Sequence, residues 1–307
     1  MDVSNKELRW VSYDTGWSND LGIPNTFSPF APAIEAYKDL LYCFHQDTVS
    51  NPELWWNIYD KETAQWRGDK AVVDVLGDRV PSFGAPAVTH ANDFLYCVHH
   101  RDSTDSRLWW SRFNTEGAGI GWSQQELLKD AQGKVVRSAK SPAVTVYDGL
   151  LYCVHDDENG RLRWITHNTT EKTWNSDQAI PGNIGATRSP AIDRFKDLLY
   201  CVHDRDGDYL YWITYNSKTQ EWSDDQRIED RNGNPVRTSY TPAITRYKDY
   251  LYCVYYVGED SGHGELRWTR YNVGEGWSTP ARVGYAISST GVDIAAYDGP
   301  LYCVHRG

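Results

Sequence analysis

The chain has 307 residues, of which 40% are hydrophobic and 24% are charged, as expected for a folded globular protein rather than a disordered one. Its 31 basic and 42 acidic residues give a net charge of −11, which argues against binding to nucleic acid or to an anionic membrane surface. No run of about 18 apolar residues occurs, so we expect no membrane insertion. The first residues lack the apolar core of a secretory signal, which predicts a cytoplasmic protein or one released without a signal peptide.

A repeat runs along the whole chain. The segment Leu-Tyr-Cys, followed by Val or Phe, occurs six times, with its cysteines at Cys43, Cys97, Cys153, Cys201, Cys253 and Cys303. Pro-Ala precedes five of the cysteines, Leu-x-Trp follows in each unit, and a second Trp closes it. Each unit therefore holds four short runs rich in Tyr, Trp, Val and Thr, separated by Asp, Asn and Gly turns. This pattern predicts four antiparallel strands per unit, the blade of a β-propeller.

Five of the six units are whole, and the sixth is divided between the two ends of the chain. The whole blades are expected at about 28–80, 81–137, 138–185, 186–237 and 238–287, and the shared blade at 1–23 and 288–307. Residues 292–305 carry the first half of the repeat, whereas Leu8-Arg9-Trp10 and Trp17 carry the second half. The sequence therefore predicts a single all-β domain, a six-bladed propeller with one blade closed by both termini, which removes a free sheet edge.

The cysteines and histidines of the repeat suggest structural roles. Equivalent cysteines on different blades are too far apart for disulfides, so we expect six free thiols. Histidine lies two residues after five of the cysteines, and we expect each to be partly buried and hydrogen-bonded to the next blade, with ligand binding as the alternative. The acidic loops at 156–160 and 204–208 resemble calcium loops without the distal Glu. We expect no metal site and no cofactor, with calcium as the alternative.

One repeated position is a candidate for ligand binding. The middle residue of Leu-x-Trp is always arginine or aromatic, and it points away from the residues on either side of it. Aromatic rings stack on the apolar face of a sugar, and arginine donates paired hydrogen bonds to hydroxyl or carboxylate oxygens. The alternative is a stacking ladder of arginine and tryptophan that packs the blades together. The six candidates are Arg9, Trp55, Trp109, Arg163, Tyr211 and Arg267.

A second candidate site lies before the innermost strands. Loops that lead into these strands approach the propeller axis, so basic residues there would form an anion site on the channel face. The alternative is scattered surface charge. The residues concerned are Lys140, Arg188 and Tyr240, with Arg137 and Arg237 a few positions earlier. The sequence contains no nucleotide-binding loop and no recognisable catalytic triad.

Three turns carry a resemblance to known proteins. The segments 13–18, 114–123 and 272–278 each end in Gly-Trp-Ser, and they resemble the turns of fungal fucose-specific lectins. Those lectins are six-bladed propellers with sugar sites between blades built from Arg, Glu and aromatic residues. The turns also resemble the Asp-box of sialidases, another six-bladed group, but the sialidase Arg-Ile-Pro motif is missing. The resemblance implies a lectin fold and a carbohydrate ligand.

These features favour a non-enzymatic, multivalent carbohydrate-binding protein whose partners are glycans or glycoproteins. Six similar positions without a unique catalytic group indicate repeated binding rather than one reaction centre. The alternatives are an enzyme with one top-face or channel site for a small or anionic substrate, and a protein-binding scaffold or receptor-binding component of a toxin. The sequence does not predict the sugar or the oligomeric state.

Overall fold

The protein is a ring of six four-stranded antiparallel sheets, the β-propeller that the sequence predicts. The computed structural model describes residues 6–115, 120–258 and 264–307. Within these ranges every regular element is a strand, and no helix is long and apolar enough to span a membrane. Residues 116–119, which belong to the second of the three lectin-like turns, lie outside the described residues.

The blades are numbered 1 to 6 in the order of their innermost strands. The innermost strands are Ala33–Tyr37, Phe83–Ala91, Ala143–Tyr147, Ala191–Phe195, Ala243–Tyr247 and Val292–Ala296. The second strands are Leu40–Gln46, Phe94–His100, Leu150–Asp156, Leu198–Arg205, Tyr250–Val257 and Leu301–Arg306. The third strands are Leu54–Asp60, Leu108–Asn114, Leu162–Asn168, Tyr209–Asn216, Gly264–Asn272 and, in blade 6, Lys6–Tyr13.

The outermost strand of blades 1 to 5 consists of two pieces. These are Gln65–Trp66 with Lys70–Ala71, Gly121–Trp122 with Glu126–Leu127, Thr173–Trp174 with Gln178–Ala179, Glu221–Trp222 with Gln226–Arg227, and Gly276–Trp277 with Ala281–Ser288. In blade 6 the outermost strand is Leu21–Ser28. The closing Trp of blades 1 to 5 lies in the first piece, and the chain then bends before it pairs again with the third strand.

Blade 6 is built from both ends of the chain, as the divided repeat predicts. The strand Lys6–Tyr13 pairs antiparallel with Leu301–Arg306, so that Val11 lies opposite Cys303. The sheet order is Leu21–Ser28, Lys6–Tyr13, Leu301–Arg306 and Val292–Ala296 from rim to axis. The N-terminal strands thus close the ring by hydrogen bonds rather than by a covalent link.

The core lies between the blades. In the second strand of blade 1, Tyr42 and Phe44 face blade 2, and Cys43 faces blade 6, because side chains alternate between the two faces. Both faces are covered, which explains the nearly continuous apolar run of this strand. All six cysteines are buried and free. Burial raises the pKa of the Cys97 thiol, as expected for an unreactive packing residue.

Carboxylates cap the free inner edges of the ring. The innermost strands leave backbone N–H groups facing the channel, and these require acceptors. Asp293 of blade 6 accepts the backbone N–H of Ile34 of blade 1 at 2.7 Å. Asp193 of blade 4 accepts the backbone N–H of Arg246 of blade 5 at 2.8 Å. These bonds join neighbouring blades at the axis.

The channel carboxylates give stability an unusual pH dependence. Burial, together with the charges of Glu35 and Asp193, raises the pKa of Asp293 to about 7, against about 3.9 in an unfolded chain. The folded protein therefore binds the extra proton between about pH 4 and 7, so this stabilisation is present below that window and is lost as pH rises through it. We expect Asp293→Asn to reduce the fall in unfolding free energy between pH 4 and 7, measured with urea. Asp148→Asn, at an exposed turn, should leave that fall unchanged, and equal pH profiles for Asp293→Asn and wild type would contradict this assignment.

Candidate functional site

The variable residue of Leu-x-Trp lies in the third strand of each blade. Arg163 is directly opposite His155 of the second strand, and Trp55 is directly opposite His45. Because opposite residues of an antiparallel pair project from the same face, each arginine or aromatic side chain lies beside a histidine of the repeat. This face is the one that carries the cysteine, so it looks toward the preceding blade.

An aspartate three residues after the closing Trp completes the arrangement. The bend between the two parts of the outer strand places its carboxylate next to the histidine. The distances from His Nε2 to Asp Oδ1 are 2.9 Å for His45 and Asp69, 3.1 Å for His155 and Asp177, 3.0 Å for His203 and Asp225, and 3.2 Å for His305 and Asp20. The Trp-x-x-Asp spacing recurs in four blades, and this was the signal in the sequence that could have identified these residues.

The prediction that the histidines bond to the next blade is wrong. Those of the four His–Asp blades are fully buried, and their aspartate partner belongs to the same blade. Blade 2 has Gln125 in place of the aspartate, with its Nε2 3.0 Å from Nε2 of His99, and burial lowers the pKa of His99 to about 4. Blade 5 replaces both members, with Tyr255 and Pro280. The aspartate therefore changes without the histidine in blade 2, and both positions change in blade 5.

Blades 3 and 6 add an arginine to the pair with nearly identical geometry. In blade 3, Nε of Arg163 donates to Oδ2 of Asp177 at 2.8 Å, and Nη2 donates to the carbonyl oxygen of Asp177 at 2.9 Å. In blade 6, the corresponding distances from Arg9 to Asp20 are 3.0 Å and 2.9 Å. We call these the Arg–Asp–His groups: Arg163, Asp177 and His155 in blade 3, and Arg9, Asp20 and His305 in blade 6.

The charges of each group are tightly coupled. Burial alone would raise the pKa of Asp177, but the hydrogen bonds and charges of His155 and Arg163 outweigh it and lower that pKa. The same balance, with His305 and Arg9, lowers the pKa of Asp20. Both carboxylates are therefore ionised at neutral pH and hold the guanidinium in a fixed orientation, with 23% of the Arg163 side chain and 31% of the Arg9 side chain exposed.

The aromatic candidates have a different environment, because an arginine lies over each ring. The guanidinium-to-ring distances are 5.7 Å for Arg79 and Trp55, 4.9 Å for Arg101 and Trp109, and 5.2 Å for Arg205 and Tyr211. In blade 4, Arg205 also donates to Asp225 at 2.7 Å and so replaces the arginine of the third strand. A sugar that stacks on these rings would have to displace the arginine.

The sixth candidate, Arg267 of blade 5, lacks the aspartate. Its Nε and Nη2 donate to Glu265 at 3.4 Å, and Arg282 also contacts this carboxylate. The six candidates occupy six blades, so the structure brings no two of them into one site. Each lies on the face of its blade that looks toward the preceding blade.

The residues predicted to bind an anion on the channel face have protein partners. Lys140 Nζ donates to Asp156 at 2.8 Å and to the carbonyl oxygen of Ala186 at 3.1 Å. Arg188 donates to Asp204 and, at 2.8 Å, to Asp208. The carboxylates of Asp156 and Asp204 are fully buried, which makes these pairs part of the blade interior.

The other three members of that predicted cluster are more exposed. Tyr240 packs edge-on against Tyr256 with 4.8 Å between ring centroids. Arg137 donates to Ser106 at 3.0 Å, and Arg237 lies 4.1 Å from the ring of Tyr209. All five line the approach to an inner strand rather than the central cavity. Their role in binding an anion stays a prediction.

The carboxylates of the acidic loops at 156–160 and 204–208 also have partners within the protein. Asp204 and Asp208 pair with Arg188, and Asp157 accepts the backbone N–H groups of Asn159 and Arg161 at 2.8 Å and 3.0 Å. Among the residues that the structure describes, no three His, Cys, Asp or Glu side chains are grouped so that they could hold a metal ion.

Known structures share this fold. The fucose-specific lectin of Aleuria aurantia, a six-bladed β-propeller, superposes with a TM-score of 0.63 at 13% identity, over 90% of this chain and 87% of the lectin. Trypanosoma rangeli sialidase in complex with sialic acid gives 0.62 at 11% identity, over 96% of this chain but only 56% of the sialidase. AofleA from Arthrobotrys oligospora gives 0.60 at 12% identity, over 90% of this chain and 79% of that one.

The structural matches confirm the resemblance to the fungal lectin as one of fold. No family model matches the chain, and no curated protein matches its sequence. This chain spans just over half the length of the sialidase. Lectin and sialidase neighbours are both present, so the fold by itself does not decide between binding and catalysis.

Proposed function

We propose that the protein is a non-enzymatic carbohydrate-binding protein whose sites lie in the grooves between blades. The observation that carries the proposal is the Arg–Asp–His group, built twice with matching distances in blades 3 and 6. Catalysis needs one asymmetric centre, whereas a repeated arrangement suits repeated binding. The glycans or glycoproteins of a cell surface would present many copies of the ligand.

The chemistry of the group suits a pair of sugar hydroxyls. In blade 3, Nε and Nη2 of Arg163 are engaged by Asp177, and within the described residues no partner is found for Nη1. In blade 6, Nη1 of Arg9 donates to the partly exposed carboxylate of Glu7 at 3.3 Å, a contact that a sugar hydroxyl would have to replace. Nη1 can donate to a hydroxyl oxygen, while the carboxylate beside it accepts from a neighbouring hydroxyl. Because the donor and the acceptor are already held by each other, little side-chain entropy is lost on binding.

The positions of the two groups suggest bivalent binding. Blades 3 and 6 are opposite each other in a six-membered ring, so their grooves face away from one another. Two separated sites on a rigid ring can link two glycans, which gives avidity and agglutination from individually weak contacts. The grooves with Trp55, Trp109 and Tyr211 are secondary candidates because an arginine covers each ring.

The structural neighbours are compatible with a sugar ligand in either class. The Aleuria aurantia protein is a fucose-specific lectin, and the Trypanosoma rangeli sialidase was solved with sialic acid. The ligand is a carbohydrate in both cases, although only the second protein is an enzyme. We therefore propose carbohydrate binding for this chain and leave the identity of the sugar to a glycan array.

The proposal is tested with arginine variants of the two groups. We expect wild type to bind glycans on an array and to agglutinate red cells, and Arg9→Gln/Arg163→Gln to lose both activities. Each single variant should keep one site and therefore bind monovalent sugar with half the stoichiometry, without agglutination. Arg267→Gln is the matched control, because it occupies the same repeat position without the aspartate, and it should behave as wild type. A blank array and no agglutination by the folded wild type would refute the proposal.

A further inference from the structure

The centre of the ring contains a cavity that the proposed sugar sites do not use. It has a volume of about 400 Å³ and is lined by the innermost strands of all six blades. This size falls in the range of small-molecule sites in proteins, which is roughly 300–1,000 Å³. Its lining is mostly alanine, proline and valine, so the few charged side chains on the wall dominate its chemistry.

Two arginines on adjacent blades lie on one side of this cavity. The fourth residue of the Ala-led inner strand is Arg194 in blade 4 and Arg246 in blade 5, and both side chains are exposed to the cavity. The two strands are neighbours in the ring and pack directly against each other. On the opposite side of the ring, the equivalent residue is Ala36 in blade 1 and His90 in blade 2.

The two guanidiniums form no close ion pair within the described residues, although the charge of Arg246 reaches Asp193 and opposes the rise that burial causes in the pKa of this carboxyl. Among the described residues, no salt bridge within 4.0 Å involves Arg194 or Arg246, although most arginines elsewhere in the ring are paired. The nearby Asp193 instead accepts the backbone N–H groups of these two residues, at 2.7 Å and 2.8 Å. Across the cavity, Glu35 is hydrogen-bonded to His90.

The charges of Glu35, Arg194 and Arg246 all influence the pKa of His90. The hydrogen bond that His90 donates to the carboxylate of Glu35 raises the pKa of His90, whereas burial and the charges of Arg194 and Arg246 oppose this rise. Both arginines therefore act on the same region of the channel. Two guanidiniums of like charge in a partly enclosed space repel each other, and the wall also carries the carboxyl groups of Glu35, Asp193 and Asp293, none of which forms a salt bridge with either arginine among the described residues.

We propose that Arg194 and Arg246 form a binding site for a small oxyanion, either a free phosphate or carboxylate or such a group on a small molecule. Guanidinium groups bind planar and tetrahedral oxyanions through paired N–H donors, and two of them from adjacent strands can hold one anion from two directions. The cavity gives room for the remainder of a small ligand. This site is independent of the sugar sites between the blades.

The test uses inorganic phosphate and succinate as probes in calorimetric titrations at constant ionic strength. We expect saturable binding of at least one of them, with one site per chain. Arg194→Gln/Arg246→Gln should bind at least tenfold more weakly, with a thermal melt to confirm folding. The matched control is Arg227→Gln/Arg231→Gln, which removes two exposed arginines from blade 4 and should bind as wild type.

The outcomes distinguish a phosphate from a carboxylate ligand, and they distinguish the channel site from the sugar sites between the blades. Binding of phosphate alone would assign a phosphate ligand, and binding of both probes would assign a general oxyanion site. If the double variant does not fold, Arg194→Gln and Arg246→Gln are tested singly, each with an expected loss of several-fold. The proposal is overturned if wild type binds neither probe, if the channel variants bind as tightly as wild type, or if the control weakens equally. Glycan binding should be unchanged in all these variants.

Discussion

Deletion of residues 1–18 is expected to abolish folding of the whole ring. The deletion removes the third strand of blade 6, whose Leu8 and Val11 side chains are fully buried, and leaves the edge of Leu301–Arg306 unpaired. Each buried aliphatic side chain contributes about 1.5–3 kcal/mol, and the lost ladder hydrogen bonds add to this, against a total stability of about 5–15 kcal/mol. We expect an aggregated or unfolded product by size-exclusion chromatography and circular dichroism, because the exposed edge can pair with other chains.

A circular permutant provides the control for this deletion. The backbone N–H of Gly307 donates to the carbonyl oxygen of Glu7 at 3.0 Å, so the C-terminus already lies beside the N-terminal strand. A chain that begins at Pro29, runs to Gly307 and continues from Met1 to Ser28 keeps every strand of blade 6. It should fold as a monomer. A deletion variant that remains folded and monomeric would show that the N-terminal strands are dispensable for ring closure.

The architecture was predictable from the sequence because the same segment recurs at a nearly regular spacing along the chain. Six copies of one short segment fix the number of blades, and the missing second half at the C-terminus identifies the shared blade before any coordinates are known. The free thiol of each cysteine was predictable for the same reason, since cysteines at equivalent positions of different blades are too far apart to form a disulfide. These inferences need only the order of residues along the chain and the geometry of strands.

The partners of the candidate residues were harder to predict because they depend on register. His155 and Asp177 are 22 residues apart, and they meet only because the second and fourth strands flank the third at a defined offset. The arginines over Trp109 and Tyr211 each come four residues after the cysteine of their blade, but this spacing alone does not indicate which ring they cover. The sequence identified the repeated position of the ligand candidates, whose role in binding stays a prediction, but it did not reveal which of them contact an aspartate.

The sequence analysis also missed the ion pairs of the basic residues that precede the innermost strands. Lys140 and Asp156 are 16 residues apart, as are Arg188 and Asp204, so the same offset links a cation to a carboxylate in two successive blades. The basic residues looked like a cluster around the axis when they were considered alone. Once the carboxylates of the second strand are included, Lys140 and Arg188 each have a buried partner in their own blade.

This pairing predicts a large effect of Asp204 on stability. The buried carboxylate accepts the guanidinium of Arg188 and, at 2.8 Å, its backbone N–H. Asp204→Ala leaves both without this acceptor, although Asp208 still contacts the guanidinium at 2.8 Å. We expect a loss of about 3 kcal/mol in unfolding free energy, measured by urea denaturation, which is the lower part of the range for breaking a buried ion pair.

A double-mutant cycle distinguishes this structural role from ligand binding by Arg188. Arg188→Ala alone should also be costly because it leaves a buried carboxylate without its cation, whereas Asp204→Ala/Arg188→Ala should cost less than the sum by about 1–3 kcal/mol. The exposed pair of Arg231 and Glu275 is the reference, where Arg231→Ala should change stability by less than about 1 kcal/mol. If Arg188 instead serves a ligand, Arg188→Ala would leave stability unchanged and the cycle would give no coupling. Strong coupling would assign the charge of Arg188 to the stability of blade 4 rather than to ligand binding.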